Sequence, residues 1–122
     1  MNKATITVYG IPNCGSVTKA RMWLAEHGVD YVFHDFKKQG VPPKAVDLWL
    51  QHVSWDVLVN RKGTTWRKLD PVLQASVKDS DSARVVMLAH ASVIKRPVVV
   101  QGQTVIVGVN PEAWARVVSQ MN

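Results

Sequence analysis

The chain has a single cysteine, Cys14, among its 122 residues. One cysteine cannot form a disulfide within the chain, so we expect a cytoplasmic protein rather than a disulfide-stabilised secreted one. No apolar run approaches the roughly 20 residues that a membrane-spanning helix needs. The opening MNKATITVYG also lacks the long apolar stretch and the small-residue cleavage site of a secretory signal peptide. These absences exclude a disulfide scaffold and give no reason to expect a membrane protein.

Acidic residues are scarce, with nine Asp and Glu against fifteen Lys and Arg, for a net charge of +6. This excess suggests an anionic partner, which leaves nucleic acid, a phosphate-like oxyanion and a carboxylate-bearing peptide open, while solubility alone explains it equally well. The histidines lack the spacing of metal ligands, and the glycines form no phosphate-binding motif. We therefore expect no metal and no nucleotide cofactor. The histidines are His27, His34, His52 and His90.

The sequence of the N-terminal third predicts a strand, a helix and a second strand. Residues 4–10, ATITVYG, have the β-branched and aromatic composition of a strand. Helical spacing of apolar residues from Cys14 to His27, followed by Gly28, predicts a helix and its end. Residues 29–36, VDYVFHDF, predict the second strand. A strand–helix–strand unit of this kind nearly always has parallel strands.

The middle of the chain predicts only helices. Apolar residues from Val46 to Val53 mark one helix face, and Asp70 with Pro71 is typical of the start of another. We expect this second helix to bury Leu69, Val72, Leu73 and Val77. Residues 79–91 predict one more helix.

Strands return near the C-terminus. Residues 96–109 predict an antiparallel hairpin that turns at Gln101–Gly102. Asn110, Pro111 and Glu112 then supply the cap, the first-turn proline and the acidic residue of a last helix. The order βαβ–ββα predicts an α/β protein with a thioredoxin-like (glutaredoxin-type) mixed sheet. We interpret residues 1–122 as one domain, with a core of residues 1–41 and 93–122 and an all-helical insertion of residues 42–92.

Cys14 lies where the first predicted helix begins. Unpaired backbone N–H groups at a helix N-terminus stabilise a thiolate and lower a cysteine's pKa. A buried and inert cysteine is the alternative, and position alone weighs both equally. A Cys-x-x-Cys pair is absent, because Val17 stands where the second cysteine would be. A second thiol must therefore come from another molecule, for which glutathione is the obvious candidate in a reducing compartment.

Three segments of the chain resemble a known family. YGIPNCGSVTKARMWLAEHGVDYVFHDF resembles the opening of the arsenate reductase-like (ArsC/Spx) family, which includes glutathione- and glutaredoxin-dependent arsenate reductases and the Spx transcriptional regulators. NRKGTTWRKLD and IKRPVVV are similar to its bacterial YffB-type branch. The resemblance implies a thioredoxin-like fold, Cys14 as the redox-active nucleophile, and a cis peptide bond at Arg96–Pro97 that faces it.

The resemblance also implies a set of substrate-binding residues. Arg96 matches one of the family's oxyanion-binding arginines, but Asn60 and Gly108 stand at the other two positions. Arg61 or Lys62 is a candidate replacement. We interpret Lys68 and Lys95 as solvated charges. The predicted site comprises the catalytic residue Cys14 and the binding residues Asn13, Gly15, Ser16, Arg61, Lys62, Arg96 and Pro97.

From these residues we predict a thiol oxidoreductase that uses glutathione as its co-substrate and Cys14 to attack a disulfide or an oxidised substrate. Glutaredoxin, an oxidised protein or an oxidised small molecule is a candidate partner, and we expect a monomer that binds neither membrane nor nucleic acid. A true arsenate reductase is the first alternative. A non-enzymatic regulatory or binding module of the Spx type is the second.

Overall fold

A computed structural model describes residues 5–121 of the chain. Its elements, in chain order, are β1 (Ile6–Gly10), α1 (Gly15–Glu26), β2 (Tyr31–Asp35), α2 (Phe36–Gln39), α3 (Pro43–His52), α4 (Trp55–Leu58), α5 (Thr64–Lys68), α6 (Pro71–Ser76), α7 (Ser80–Ala89), a 3₁₀ turn (Ala91–Val93), β3 (Val98–Gln101), β4 (Thr104–Val107) and α8 (Pro111–Gln120).

The chain divides into two compact units, with boundaries after Gln39 and before Arg96. We call the described residues 5–39 and 96–121 the sheet unit, since they contain all four strands. Residues 40–95, which contain α3 to α7 and the 3₁₀ turn, are the helical unit. Among residues 5–121, none of the helices has the length and apolar character to cross a membrane.

The sheet has the order β2-β1-β3-β4. Strand β1 pairs in parallel with β2 and antiparallel with β3, and β3 pairs antiparallel with β4. The mixed sheet and its thioredoxin-like α/β topology are confirmed. The hairpin turn is one residue later than predicted, at Gly102–Gln103, because Gln101 still pairs with Thr104 and Gly102 has a φ of +60°. A left-handed backbone at this point suits glycine.

The first two strands are shorter than predicted. Strand β1 begins at Ile6, and Ala4 lies outside the described residues. Strand β2 ends at Asp35 because that residue turns the chain into α2. The Asp35 carboxylate accepts the N–H of Lys37 at 2.8 Å, and its own N–H donates to the side chain of Gln39 at 3.1 Å. Such local side-chain to backbone bonds compete with the strand ladder, so Phe36 is helical instead of extended.

One face of the sheet carries the core of the sheet unit. Alternate residues of β1, Ile6 and Val8, pack with the buried residues of α1 and α8 in a single cluster. At the end of β1, a Cβ added to Gly10 would lie 2.5 Å from Cγ2 of Val17 in α1. Only a glycine allows α1 to begin this close to the strand. The core members from the two helices are Val17, Ala20, Leu24, Ala113, Trp114 and Val117.

The helical unit confirms the predicted helices and corrects one predicted face. The carboxylate of Asp70 accepts the N–H of Val72 at 2.8 Å, as expected of a helix cap. Val72 itself is 79% exposed, so its predicted burial is wrong. Helix α6 lasts only six residues, and both Leu69 and Val77 lie outside it in extended backbone. The four apolar residues therefore do not share one helical face.

Candidate functional site

Cys14 is the residue immediately before α1, and its backbone is extended, with φ −120° and ψ 123°. Its carbonyl accepts the first hydrogen bond of the helix, from the N–H of Thr18 at 2.9 Å. The next N–H groups have no partner within the helix, because no preceding turn exists. Two of them, from Ser16 and Val17, interact with the Cys14 thiol, which is partly exposed. The sequence prediction for the position of Cys14 is confirmed.

The surroundings of Cys14 lower the pKa of its thiol. Partial burial raises the pKa and is the largest single influence. Four effects together outweigh it: the backbone N–H of Val17, the side chain of Arg96, the backbone N–H of Ser16, and the positive charge of Arg96. Each of these stabilises the thiolate more than the thiol. The site therefore favours the nucleophilic form of the sulfur.

Arg96 lies far from Cys14 along the chain, two residues before β3. The Arg96–Pro97 peptide bond is cis, as the family resemblance implied. Pro97 is buried, and its carbonyl accepts the N–H of Gly108 at 2.8 Å. Gly108 is buried with a φ of +83°, a conformation that residues with side chains rarely adopt. Gly108 thus binds the backbone at Pro97 and has no side chain that could contact a ligand.

The other predicted binding residues beside Cys14 differ in what they contribute. Ser16 acts through its backbone N–H, which helps to lower the thiol pKa. Asn13 and Gly15 are exposed, and a Cβ at Gly15 would meet no atom within 4 Å. Val17, at the place of a second cysteine, is fully buried against the core. Among the described residues, no group of three or more His, Cys, Asp or Glu side chains is arranged to hold a metal ion.

Arg61 and Lys62 belong to the helical unit, whereas Cys14 and Arg96 belong to the sheet unit. Arg61 and Lys62 line a cleft of about 290 Å³ together with Asn60 and Lys95. Lys95 is exposed and also lines this cleft, so the interpretation of Lys95 as a solvated charge stays a prediction. Lys95 is distant in sequence from the other three residues, and the fold brings it to them.

A βαβ–ββα fold with a cysteine at the N-terminus of its first helix and a cis-proline before β3 defines a thioredoxin-like α/β protein. The ArsC family model matches residues 9–117. The chain therefore belongs to the ArsC family.

Individual relatives agree with this assignment. An uncharacterised protein of Haemophilus influenzae is 38% identical over 109 residues, which cover 89% of this chain and 95% of the relative. The solved structure of the YFFB protein is 43% identical with a TM-score of 0.87, and the match covers 92% of this chain and 97% of that one. An arsenate reductase (ArsC) related protein from Brucella melitensis is 45% identical with a TM-score of 0.70, and 92% of each chain is covered.

Proposed function

We propose that the protein is a thiol oxidoreductase that uses glutathione as its co-substrate and Cys14 as its only catalytic sulfur. The observation that carries this proposal is the position of Cys14 at the start of α1 beside the side chain of Arg96, which lowers the pKa of the thiol. A thiolate at a helix N-terminus beside a cation is the arrangement of reactive cysteines rather than of structural ones. The reducing cytoplasm, where glutathione is abundant, is the proposed location.

The proposed reaction has three exchange steps. In the first, the Cys14 thiolate attacks one sulfur of a substrate disulfide, a new S–S bond joins Cys14 to that half of the substrate, and the other sulfur leaves as a thiolate. In the second, a glutathione thiolate attacks the Cys14 sulfur, so that the bound half of the substrate leaves as a thiolate and Cys14 is joined to glutathione. In the third, another glutathione thiolate attacks this mixed disulfide, which releases oxidised glutathione and restores the Cys14 thiolate. The substrate disulfide is reduced and two glutathione molecules are oxidised, so no further electron donor is needed.

Arg96 has two roles in the proposed reaction. Its guanidinium stabilises the attacking thiolate, and the same group can pair with a carboxylate of glutathione once the mixed disulfide forms. Ser16 and Val17 supply backbone N–H groups to the sulfur. We propose that Asn13 and Gly15 border the bound glutathione from the exposed side of the loop, and that Pro97 holds Arg96 in place. Arg61 and Lys62 are not required for the exchange steps.

Reduction of arsenate is less well supported. Binding a tetrahedral oxyanion calls for several converging cations, and of the three positions that the resemblance assigns to arginine only Arg96 carries one. Asn60 is neutral, and Gly108 has no side chain and a backbone conformation that disfavours one. A disulfide needs only the thiolate and one anchoring cation. The residues present therefore fit the disulfide better than arsenate.

The direct test is the rate of Cys14 alkylation by iodoacetamide as a function of pH. An ordinary thiol has a pKa of about 8.5, and we expect the midpoint for the wild type to lie below that value. Arg96→Gln should have a higher midpoint than the wild type, because the variant loses both the hydrogen bond and the charge of Arg96. Arg116→Gln is the matched control, since Arg116 is an exposed arginine of the same unit on α8. A wild-type midpoint near that of an ordinary thiol would contradict the proposal.

A second measurement addresses glutathione itself. After incubation with oxidised glutathione, mass spectrometry should detect one glutathione adduct on Cys14, and reduced glutathione should remove it. Cys14→Ser should take up none. An intact protein that labels readily with iodoacetamide but never forms the adduct would point to a reactive cysteine with a different co-substrate.

A further inference from the structure

The helical unit contains a cationic cleft that takes no part in the exchange steps proposed above. Its volume is about 290 Å³. Its lining includes three cations, Arg61, Lys62 and Lys95, and the amide of Asn60. The remaining lining residues are Asp56, Val57 and Val59.

Two separate segments form the cleft, and the backbone joins them firmly. The N–H of Asn60 donates to the carbonyl of Val93 at 2.8 Å, and the N–H of Lys95 donates to the carbonyl of Leu58 at 2.7 Å. These bonds flank an antiparallel bridge between Val59 and Ile94, both of which are buried. The cations therefore stand on a fixed backbone. Binding to such a preformed cleft loses little conformational entropy.

The side chains around the cleft are also partly oriented. The guanidinium of Arg61 lies 5.5 Å from the ring centre of Trp55, within the range of a cation–π contact. The side-chain oxygen of Asn60 accepts the N–H of Lys62 at 3.3 Å. A Cβ at Gly63 would lie 2.9 Å from Nδ2 of Asn60, so glycine at this position lets the Asn60 side chain pack closely against the turn. Two of the cations, Arg61 and Lys62, therefore stand on an ordered turn.

The charge at the cleft is strongly positive. Residues 57–69 contain four Lys and Arg and no carboxylate. The one acidic residue of the lining, Asp56, accepts a hydrogen bond from the hydroxyl of Ser54. With three cations and one carboxylate, the cleft has an excess of positive charge, which a bound anion would balance.

We propose that this cleft binds carboxylate groups in an acidic segment of a partner protein. Val57, which is 46% exposed, adds an apolar contact beside the cations, and such a mixture suits a peptide chain. Nucleic acid fits less well, because sequence-tolerant binding of single strands relies on exposed aromatic rings. The nearby ring of Trp55 already faces Arg61. The proposal concerns the helical unit and does not depend on the reaction of Cys14.

The test measures the fluorescence anisotropy of a labelled peptide that has three consecutive glutamates beside a leucine. The intact protein is titrated at low and at physiological salt. Lys62→Gln/Lys95→Gln should weaken binding roughly fivefold, as two exposed ion pairs would, and added salt should weaken the wild-type complex. Lys44→Gln/Lys78→Gln is the matched control. Both its lysines are exposed in the helical unit and do not line the cleft, so it should bind like the wild type.

Two results would overturn the proposal. One is a failure to single out the cleft: the two double variants bind the peptide equally weakly, or the wild type does not bind it at low salt. The cleft would then have no special role. The other is tighter binding of a single-stranded oligonucleotide of equal formal charge, lost in Lys62→Gln/Lys95→Gln alone, which would assign the cleft to nucleic acid. Circular dichroism of each variant shows whether it is folded, and Arg61→Gln provides a second cleft variant if the double variant is not.

Discussion

The two units of this protein bring charged groups together in different ways. In the sheet unit, the start of α1 and Arg96, two residues before β3, meet at one sulfur. Arg96 and two backbone N–H groups favour its thiolate form. In the helical unit, a bridge between two loop segments lines up three cations around an open cleft, without a nucleophile. In our proposals, similar charges serve chemistry in one unit and recognition in the other. The nucleophile beside them makes the difference.

The units also differ in how their elements are held. Each strand of the sheet unit is defined by pairing with a strand distant in sequence, apart from the β3–β4 hairpin. The helical unit has short helices that begin at local signals, such as the Asp70 cap of α6 and the Asp79 cap of α7. Neither α5 nor α6 buries a residue completely. The stability of the helical unit must therefore depend on the buried residues of α3, α4 and α7 and on the buried segments around Val59 and Ile94.

The largest expected effect tests this dependence. Trp49 in α3 is fully buried, and Trp49→Ala should lower the free energy of unfolding by about 3–5 kcal/mol. Urea denaturation measures the loss. In the folded fraction, the pH midpoint of Cys14 alkylation should stay the same, because the groups that set it belong to the sheet unit.

Val72→Ala is the control for Trp49→Ala. Because Val72 is 79% exposed, its loss should change the free energy of unfolding by no more than about 0.5 kcal/mol. Equal losses for the two variants would show that burial in α3 does not dominate the helical unit.

The second prediction concerns the approach of α1 to β1. Gly10→Ala places a methyl group 2.5 Å from Cγ2 of Val17, and overpacking of this kind should cost about 1–3 kcal/mol. Gly15→Ala adds the same methyl group where no atom lies within 4 Å, so it should leave thermal stability nearly unchanged. Differential scanning calorimetry measures the melting temperatures of the two variants, which are compared with that of the wild type. If both variants lose the same amount, the close contact at Gly10 is not what positions the start of the helix.

The smallest expected effect is a pH dependence of stability that comes from Cys14. Its folded-state pKa is lowered, so between that pKa and the ordinary value the unfolded chain binds more protons and stability rises with pH. The gain is complete above the unfolded pKa and is lost as the pH falls through the folded one. We expect this rise in urea titrations of the wild type and a flat profile for Cys14→Ser. Burial raises the pKa of Tyr9, so the titration should stay below about pH 9.

Arg96→Gln should show a smaller rise than the wild type, because only the backbone N–H groups of α1 remain to favour the thiolate. An identical profile in the wild type and Cys14→Ser would contradict the assigned surroundings of the thiol.

Local sequence signals predicted much of the fold, and the errors follow from what such signals omit. Asn110 and Pro111 mark the start of α8 correctly, since the side chain of Asn110 accepts the N–H of Ala113 at 3.2 Å. The burial of Val72 was wrong because a cap predicts where a helix begins but not which side meets the core. The end of β2 was misplaced because the Asp35 carboxylate, rather than a glycine or proline, turns the chain.

By itself, the sequence determined the order of strands and helices and the position of Cys14 at the start of α1. Those features depend on the periodicity of apolar residues and on caps, which act over a few residues. The family resemblance placed Arg96 in the predicted site, but only the tertiary structure decided that its side chain would reach the sulfur and that Lys95 would line one cleft with Arg61 and Lys62. Contacts between residues so distant along the chain form only when the strands pair and the loops are bridged, and the pattern of neighbouring residues carries no record of them.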